Sequence, residues 1–287
     1  GMLAVLPDDV SAALLDGMAG YGACGLHGHK WEASFLGCYA AAGRDAPRTF
    51  VAPLGPDADV LLREAASAGV TAAGAALRAE VGGRRMIVRS DRMEPSKNIV
   101  RGMLAFEELM GAHPEWRGEV VHVALAYPSR QGLAEYLAYG AEVVHTAERV
   151  NRALTRDGGD GDWTPIVLHV DDDRDRSLAA LSMSDVLLVN PVRDGMNLVA
   201  KEGPLLNTAD GVLVLSHEAG AWEELGPAGA LGVNPFDVSA TAAALHAALS
   251  MPQDERRRRA EGLRTSVLAR TSADWWADQL AAASAQP

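Results

Sequence analysis

The sequence predicts an α/β fold built on a doubly wound parallel sheet, on three observations. From Arg85 onward, strand-like and helix-like segments alternate without a break. The strand segments are runs of Val, Leu and Ile with no polar alternation, which means burial on both faces. Apolar residues make up 48% and charged residues 22% of 287, the balance of a globular chain with room for one large or two medium domains.

The first 68 residues read as one set of α/β units. Residues 10–18 form a short helix, and residues 30–42 an amphipathic one with Trp31, Phe35 and Leu36 on one side; 57–68 is a third. Only two short strand candidates occur, 23–26 and 49–54. That is too little for a complete doubly wound domain, so this region reads as the tail end of one. The Ala/Gly-rich stretch 65–83 reads as a helix followed by a linker. Strands are then expected at 85–88, 120–126, 166–170, 186–189, 212–215 and 230–233. Helices are expected at 96–111, 133–156, 175–183 and 198–206, with a short one opened by Ser216 and Ala219 to Ala221. Three more lie near 240–250, 254–270 and 273–283. The βα order implies about six parallel strands. The domain division that follows is 1–72, 84–270 and a terminal helix in 271–287.

Composition narrows the function classes. The net charge is −12 and the basic residues are scattered, which argues against nucleic acid and anionic membranes as partners. The basic run Arg256 to Arg259, with Asp254, Glu255 and Glu261 around it, reads as a solvated helix face. There is no run of about 18 apolar residues to span a membrane. Residues 1–20 lack the basic and apolar regions of a signal peptide. Two cysteines, Cys24 and Cys38, make neither a disulfide framework nor a zinc site, so a reducing cytoplasm fits. Gly1 ahead of Met2 reads as a protease-cleavage scar.

In such sheets ligands bind beyond the C-terminal strand ends, so those loops carry the functional reading. The most informative runs Asn190-Pro191-Val192-Arg193-Asp194-Gly195-Met196-Asn197-Leu198-Val199-Ala200-Lys201-Glu202. Asp194-Gly195 supplies a turn and Asn197 an N-cap, leaving helix N–H groups free for phosphate or sugar hydroxyls. Glu202, one turn on, is within reach of a ribose diol. The alternative is an ordinary strand–loop–helix connection with a solvated Glu. After the first sheet strand, Arg92 and Lys97 flank a helix start marked by Pro95 and Ser96. Cations at a positive helix end suggest a phosphate clamp, against surface charges paired with Asp91 and Glu94. Arg130 stands at the next strand end, where it can meet a second phosphate.

Asp171-Asp172-Asp173 offers carboxylates for Mg²⁺ or Mn²⁺, but reads better as an acidic helix start paired with Arg174 and Arg176. Residues 157–162 lack the ligand spacing of a calcium loop and read as a flexible loop. Ser216 and His217 are adjacent and lack the strained turn of a nucleophile. No Walker loop and no Gly-x-Gly-x-x-Gly fingerprint is present.

Together these stretches resemble the trehalose-6-phosphate synthase family of retaining glycosyltransferases, which have the GT-B fold of two facing Rossmann-like domains. The resemblance covers nearly the whole chain and is strongest from Arg85 to Asp237. It is carried by Arg193 to Glu202, by Asp91-Arg92-Met93-Glu94-Pro95-Ser96-Lys97, by Leu213 to Ser216, by Gly220-Ala221 and by Val233-Asn234-Pro235-Phe236-Asp237.

The resemblance implies that Arg92 and Lys97 bind the diphosphate of UDP- or GDP-glucose, without cofactor or metal. Asp194 and the backbone of Gly195, Met196 and Asn197 would hold the glucose hydroxyls. Leu198 would give an N–H to phosphate, and Glu202 would take the ribose. Arg130 would reach the phosphate of a glucose 6-phosphate acceptor. The helix carrying Trp275 and Trp276 would return to the N-terminal part. Family members are longer, so residues 1–72 correspond to the remnant of the acceptor domain; His27 and His29 do not match the family's catalytic-site His. Pro95 stands where Tyr is common and Glu94 where Asp is, and Pro204 should shorten or kink the helix after the motif. The expected activity is glucosyl transfer by a chain carrying the donor half. A homo-oligomer, or a second chain supplying the other half, stays open. The alternatives are a relative coupling a cyclitol or using a glycerol-phosphate acceptor, and a non-catalytic nucleotide-sugar-binding or regulatory protein.

Overall fold

The computed structural model describes residues 2–156 and 162–285. The N-terminal part contains α1 (Asp8–Ala19), β1 (Cys24–Leu26), α2 (His29–Ala41), β2 (Thr49–Val51), α3 (Ala58–Ala65) and α4 (Ala68–Val81). Strands β1 and β2 pair in parallel as a separate two-stranded sheet. Asp57 caps α3 by accepting from the Val60 amide at 3.0 Å, and Ser67 caps α4 through Val70 at 3.3 Å. Residues 65–83 are not a helix and a linker. Gly82 and Gly83, at φ +64° and +71°, make a short turn, and Val70, Leu77 and Val81 of α4 enter the main core.

The larger part continues through β3 (Arg85–Met93), α5 (Ile99–Ala112), β4 (Val120–Pro128), α6 (Ala134–Thr155), β5 (Ile166–His169) and α7 (Arg174–Met183). There follow β6 (Val186–Val189), α8 (Val199–Leu206), β7 (Val212–Ser216), α9 (Trp222–Ala228), β8 (Leu231–Val233), α10 (Val238–Leu249), α11 (Gln253–Leu268) and α12 (Ser272–Ser284). The six strands are parallel in the order β5-β4-β3-β6-β7-β8, the doubly wound sheet the sequence predicts. Helices α5, α6 and α10 pack as one layer; α7, α8 and α11 belong to the other, with α4 laid over α7. The chain leaves β3 toward β4 and β5, then returns to place β6 on β3's other edge. The loops after β3 and β6 therefore flank the switch point where such folds bind ligands. Among the described residues no single helix is long and apolar enough to cross a membrane. The pair α3–α4 reaches the length only together, bent by 61°.

Several expectations need correction. Strands β3 and β4 run well past Val88 and Ala126. Arg89, Ser90 and Asp91 read as loop because they are polar, yet all three are buried. Arg89 and Asp91 neutralise each other at 2.7 Å, so the strand continues with its charges inside. Helix α5 starts at Ile99, not Ser96: Pro95–Lys97 is a 3₁₀ turn, and Asn98 at φ +60° redirects the chain. Helix α8 starts at Val199, one residue after the cap expected at Asn197 allows. Asn197 sits at φ +74°, although its Oδ1 still accepts from the Ala200 amide at 3.0 Å. Pro204 lies inside α8, which stops after eight residues.

The basic run is not a uniformly solvated face. Arg256 is buried and donates to the Asp210 carbonyl at 3.0 Å and the Ala209 carbonyl at 3.3 Å, while Arg259 reaches Gly229 O. Uncapped loop carbonyls need donors, and α11 supplies them. Arg257 and Arg258 are exposed. The loop reading of 157–162 falls outside the described residues, Asp162 excepted.

Candidate functional site

A cavity of about 440 Å³ opens at the C-terminal ends of β3, β4, β5 and β6. Arg92, Lys97, Asp194, Asn197, Leu198 and Glu202, six of the residues singled out from the sequence, line it together. Lys97 Nζ lies 2.5 Å from Asp194 Oδ2, tying the loop after β3 to the loop after β6. Asn197 Nδ2 donates to the same oxygen at 3.2 Å, and the Met196 amide to Asp194 Oδ1 at 3.4 Å. Arg92 is half-exposed, with Glu94 Oε1 at 3.3 Å. Leu198 and Val199 put the start of α8, its positive end, on the cavity wall.

Glu202 lines the cavity with little exposure, and its nearest cation is Arg174 at 3.9 Å. Burial pushes its carboxyl above the ordinary value, with Arg174 opposing. Arg174 itself is the residue that sequence reading missed. It lines the cavity from the first position of α7 and reaches Glu64 on α3 at 3.0 Å. The signal was available, since a cation at a helix start beyond a strand end is the argument made for Arg92 and Lys97. Its neighbours took the attention instead: Arg176, not Arg174, pairs with Asp171 at 2.8 Å and Asp173 at 3.1 Å. Asp173 also caps α7 through the Arg176 amide.

The loop carrying Asp194 is held from beneath and behind. Beneath, Arg89 donates to Lys97 O at 2.9 Å and Asn190 Oδ1 at 3.2 Å. Asn98 Nδ2, also buried, donates to Asn190 O at 2.9 Å and Pro235 O at 2.7 Å. Behind, Asp194 bonds Glu218 O through its amide (3.1 Å) and Gly220 N through its carbonyl (3.0 Å); Met196 O accepts from Ala221 at 2.8 Å. Gly220 has to be glycine, because a Cβ there would overlap the Gly195 carbonyl.

Three other candidates are placed apart from the cavity wall. Gly195 is exposed on the loop, and the Met196 side chain is buried in the core. Arg130, at φ +46°, is exposed and donates to Tyr136 Oη at 3.2 Å. At the opposite end of the sheet, His113, Glu115 and His246 gather closely. Their imidazoles stack 3.5 Å apart and 8° from parallel, so the in-plane lone pairs run side by side and do not converge on one ion. His246 Nδ1 already accepts from Trp116 Nε1 at 3.1 Å.

The profile of glycosyltransferase family 20 matches residues 3–285. The chain belongs to this family. It is 35% identical over 292 residues to the bifunctional trehalose-6-phosphate synthase/phosphatase of Thermoproteus tenax, covering 96% of this chain and 39% of that protein. To the trehalose-6-phosphate synthase of Sinorhizobium fredii it is 40% identical over 200 residues, 69% of this chain and 42% of the relative. The UDP-forming synthase structure from Burkholderia vietnamiensis superposes with a TM-score of 0.88 at 32% identity, over 98% of this chain and 62% of that one. A Burkholderia xenovorans synthase in complex with glucose-6-phosphate gives 0.87 at 27% identity, covering 95% and 63%. The E. coli protein bound with UDP-2-fluoro glucose gives 0.88 at 29%, covering 99% and 65%. The family 20 chain thus spans about two-fifths of these curated relatives and under two-thirds of the solved chains, and its two sheets match part of the GT-B fold.

Proposed function

We infer that this family 20 chain is the donor-binding part of a retaining glucosyltransferase of the trehalose-6-phosphate synthase type. It would take UDP- or GDP-glucose as donor and glucose 6-phosphate as acceptor. The observation that carries this reading is the single cavity walled by Arg92, the Lys97–Asp194 pair and Glu202. Two cations beside a helix start suit a diphosphate, a buried carboxylate suits a ribose diol, and Asp194 with Asn197 suits sugar hydroxyls.

In the reaction the bond from the sugar C1 to the diphosphate breaks, and a bond from C1 to the acceptor oxygen forms on the same face. Charge grows on the leaving diphosphate, where Arg92, Lys97 and the α8 N-terminus stabilise it. The acceptor proton passes to a diphosphate oxygen, so no enzymic nucleophile is required. Residues 1–72 carry the acceptor-side remnant, 84–270 the nucleotide-sugar domain, and α12 the return to the N-terminal part. Arg48 supports that return by donating to Ala282 O at 2.6 Å. The two free thiols, Cys24 and Cys38, fit a reducing cytoplasm.

Arg130 favours one second reading. It is the residue proposed for the acceptor phosphate, yet it stands outside the cavity wall, bonded to Tyr136. A chain that binds a nucleotide sugar without transferring it fits that placement. Calorimetry with UDP-glucose and GDP-glucose tests the donor site, and no heat at millimolar ligand would remove it. Nucleotide release with glucose 6-phosphate separates the two readings.

A further inference from the structure

The donor loop is braced from the N-terminal part of the chain. At the start of α2 the His29 and Lys30 amides donate to the two carboxylate oxygens of Glu223, at 2.8 and 2.7 Å. Glu223 lies on α9, nearly two hundred residues later. Its carboxylate caps a helix start whose N-cap, Gly28, offers no side chain. The fit is close: a Cβ on Gly28 would stand 2.9 Å from Glu223 Oε1. Burial raises the Glu223 carboxyl, but the Lys30 and His29 amides outweigh it and the net shift is downward.

The same helix start grips the preceding loop. Lys30 Nζ pairs with Glu218 Oε2 at 2.7 Å, and the Arg193 guanidinium lies 5.5 Å from the Trp31 ring centre. Glu218, Gly220 and Ala221 are the residues whose backbones bond Asp194 and Met196. A continuous path of hydrogen bonds therefore runs from α2 through 218–223 to the loop 193–197.

We propose that Glu223 is a positioning residue: by capping α2 it locks the 218–223 segment, and so fixes the donor loop in the geometry that holds the sugar. Its effect falls on the sugar arm of the ligand. The diphosphate and ribose contacts come from Arg92, Lys97 and Glu202, on elements this path does not cross. The assignment of those arms rests on the proposed donor site; the bracing itself does not.

Two measurements test it on the full chain, with Glu223→Ala and the milder Glu223→Gln and Gly28→Ala as variants. Amide hydrogen exchange without ligand reads the brace directly. Peptides covering 193–197 and 218–221 should exchange roughly tenfold faster in Glu223→Ala, with β3 and β6 unchanged. Unchanged exchange at 193–197 overturns the proposal whether or not any nucleotide binds. Calorimetry reads the consequence: UDP-glucose affinity should fall on the order of tenfold while UDP affinity holds. Equal loss for both ligands marks a merely structural role and overturns it. No binding of either ligand by the unsubstituted chain counts against the donor site, and leaves the exchange result to decide the brace. If Glu223→Ala does not fold, Glu223→Gln, which keeps one acceptor, should give the same ordering at smaller size.

Discussion

Lys97 and Asp194 meet at 2.5 Å across the switch point of the sheet, each with little exposure. Their loops are far apart in sequence, and the pair bridges the two sides of the cavity. An arriving diphosphate offers Lys97 a second anion, so ligand binding and the Asp194 loop share one cation. Arg92, held only by Glu94 at 3.3 Å, is freer to turn toward phosphate. Arg92→Ala combined with Lys97→Ala should weaken UDP-glucose binding at least about a hundredfold, since each charge-assisted bond contributes roughly 1.5–3 kcal/mol. Calorimetry at fixed ionic strength measures this, and unchanged affinity would exclude the phosphate assignment.

Glu202 provides a pH test. Burial raises its folded value above the ordinary 4.5, so the carboxylate that would accept from a ribose diol is lost earlier in an acid titration. UDP affinity should decline as pH falls through a value above 4.5, and Glu202→Gln should flatten that decline. The stability sign is opposite to that of a paired carboxylate. Its contribution is present below the unfolded value and lost as pH rises through the folded one. Glu202→Gln should therefore be more stable than the parent at neutral pH and no more stable in acid. Denaturant midpoints at several pH values decide it.

His122 should make the fold acid-sensitive. It is fully buried in β4 against Phe106, neither ring nitrogen has a partner among the described residues, and burial lowers its value from 6.5 to about 3. The unfolded chain takes up this proton below pH 6.5 and the folded one does not. The stabilisation is complete above 6.5 and shrinks on acidification, by roughly 3 kcal/mol on reaching pH 4. His122→Leu should remove this slope, seen as melting temperatures that converge less steeply in acid. A parallel pH profile in the variant would refute it.

Asn98 separates backbone from side chain. At φ +60° it occupies glycine's region while its amide bridges Asn190 O and Pro235 O. Asn98→Gly keeps the backbone and removes the bridge; Asn98→Ala removes both. Unfolding in urea should show Asn98→Ala less stable than Asn98→Gly by about 1 kcal/mol, with both below the parent. Equal losses would mean that the turn conformation contributes nothing.

The six-stranded sheet was legible because buried parallel strands are apolar runs, and 186–189 and 212–215 show it in plain form. What misled was charge that the fold neutralises inside. Arg89 and Asp91 look like a loop until each is seen as the other's partner, and Arg256 looks solvated until the carbonyls of 209 and 210 are placed against it. The Arg256 contacts join segments distant in sequence, which local pattern does not carry. The cavity residues were named correctly as a group, by the resemblance more than by spacing. The brace at Glu223 left no local sign, since a Glu on a short helix is unremarkable until α2 is laid against it.

The neighbourhood of β3 and β6 has a consequence for how the protein is made. Val88 and Leu187 are paired across these strands although about a hundred residues of chain separate them, a long loop to close. The half-sheet β3-β4-β5 can form from nearer contacts first, and emerges first during synthesis. At that stage Arg92 and Lys97 already stand on their loop, but Asp194 does not yet exist as the counterpart of Lys97. The nascent chain thus passes through a form with an unopposed cation and an unpaired central strand edge, and free nucleotide diphosphate is suited to shield that charge until β6 docks.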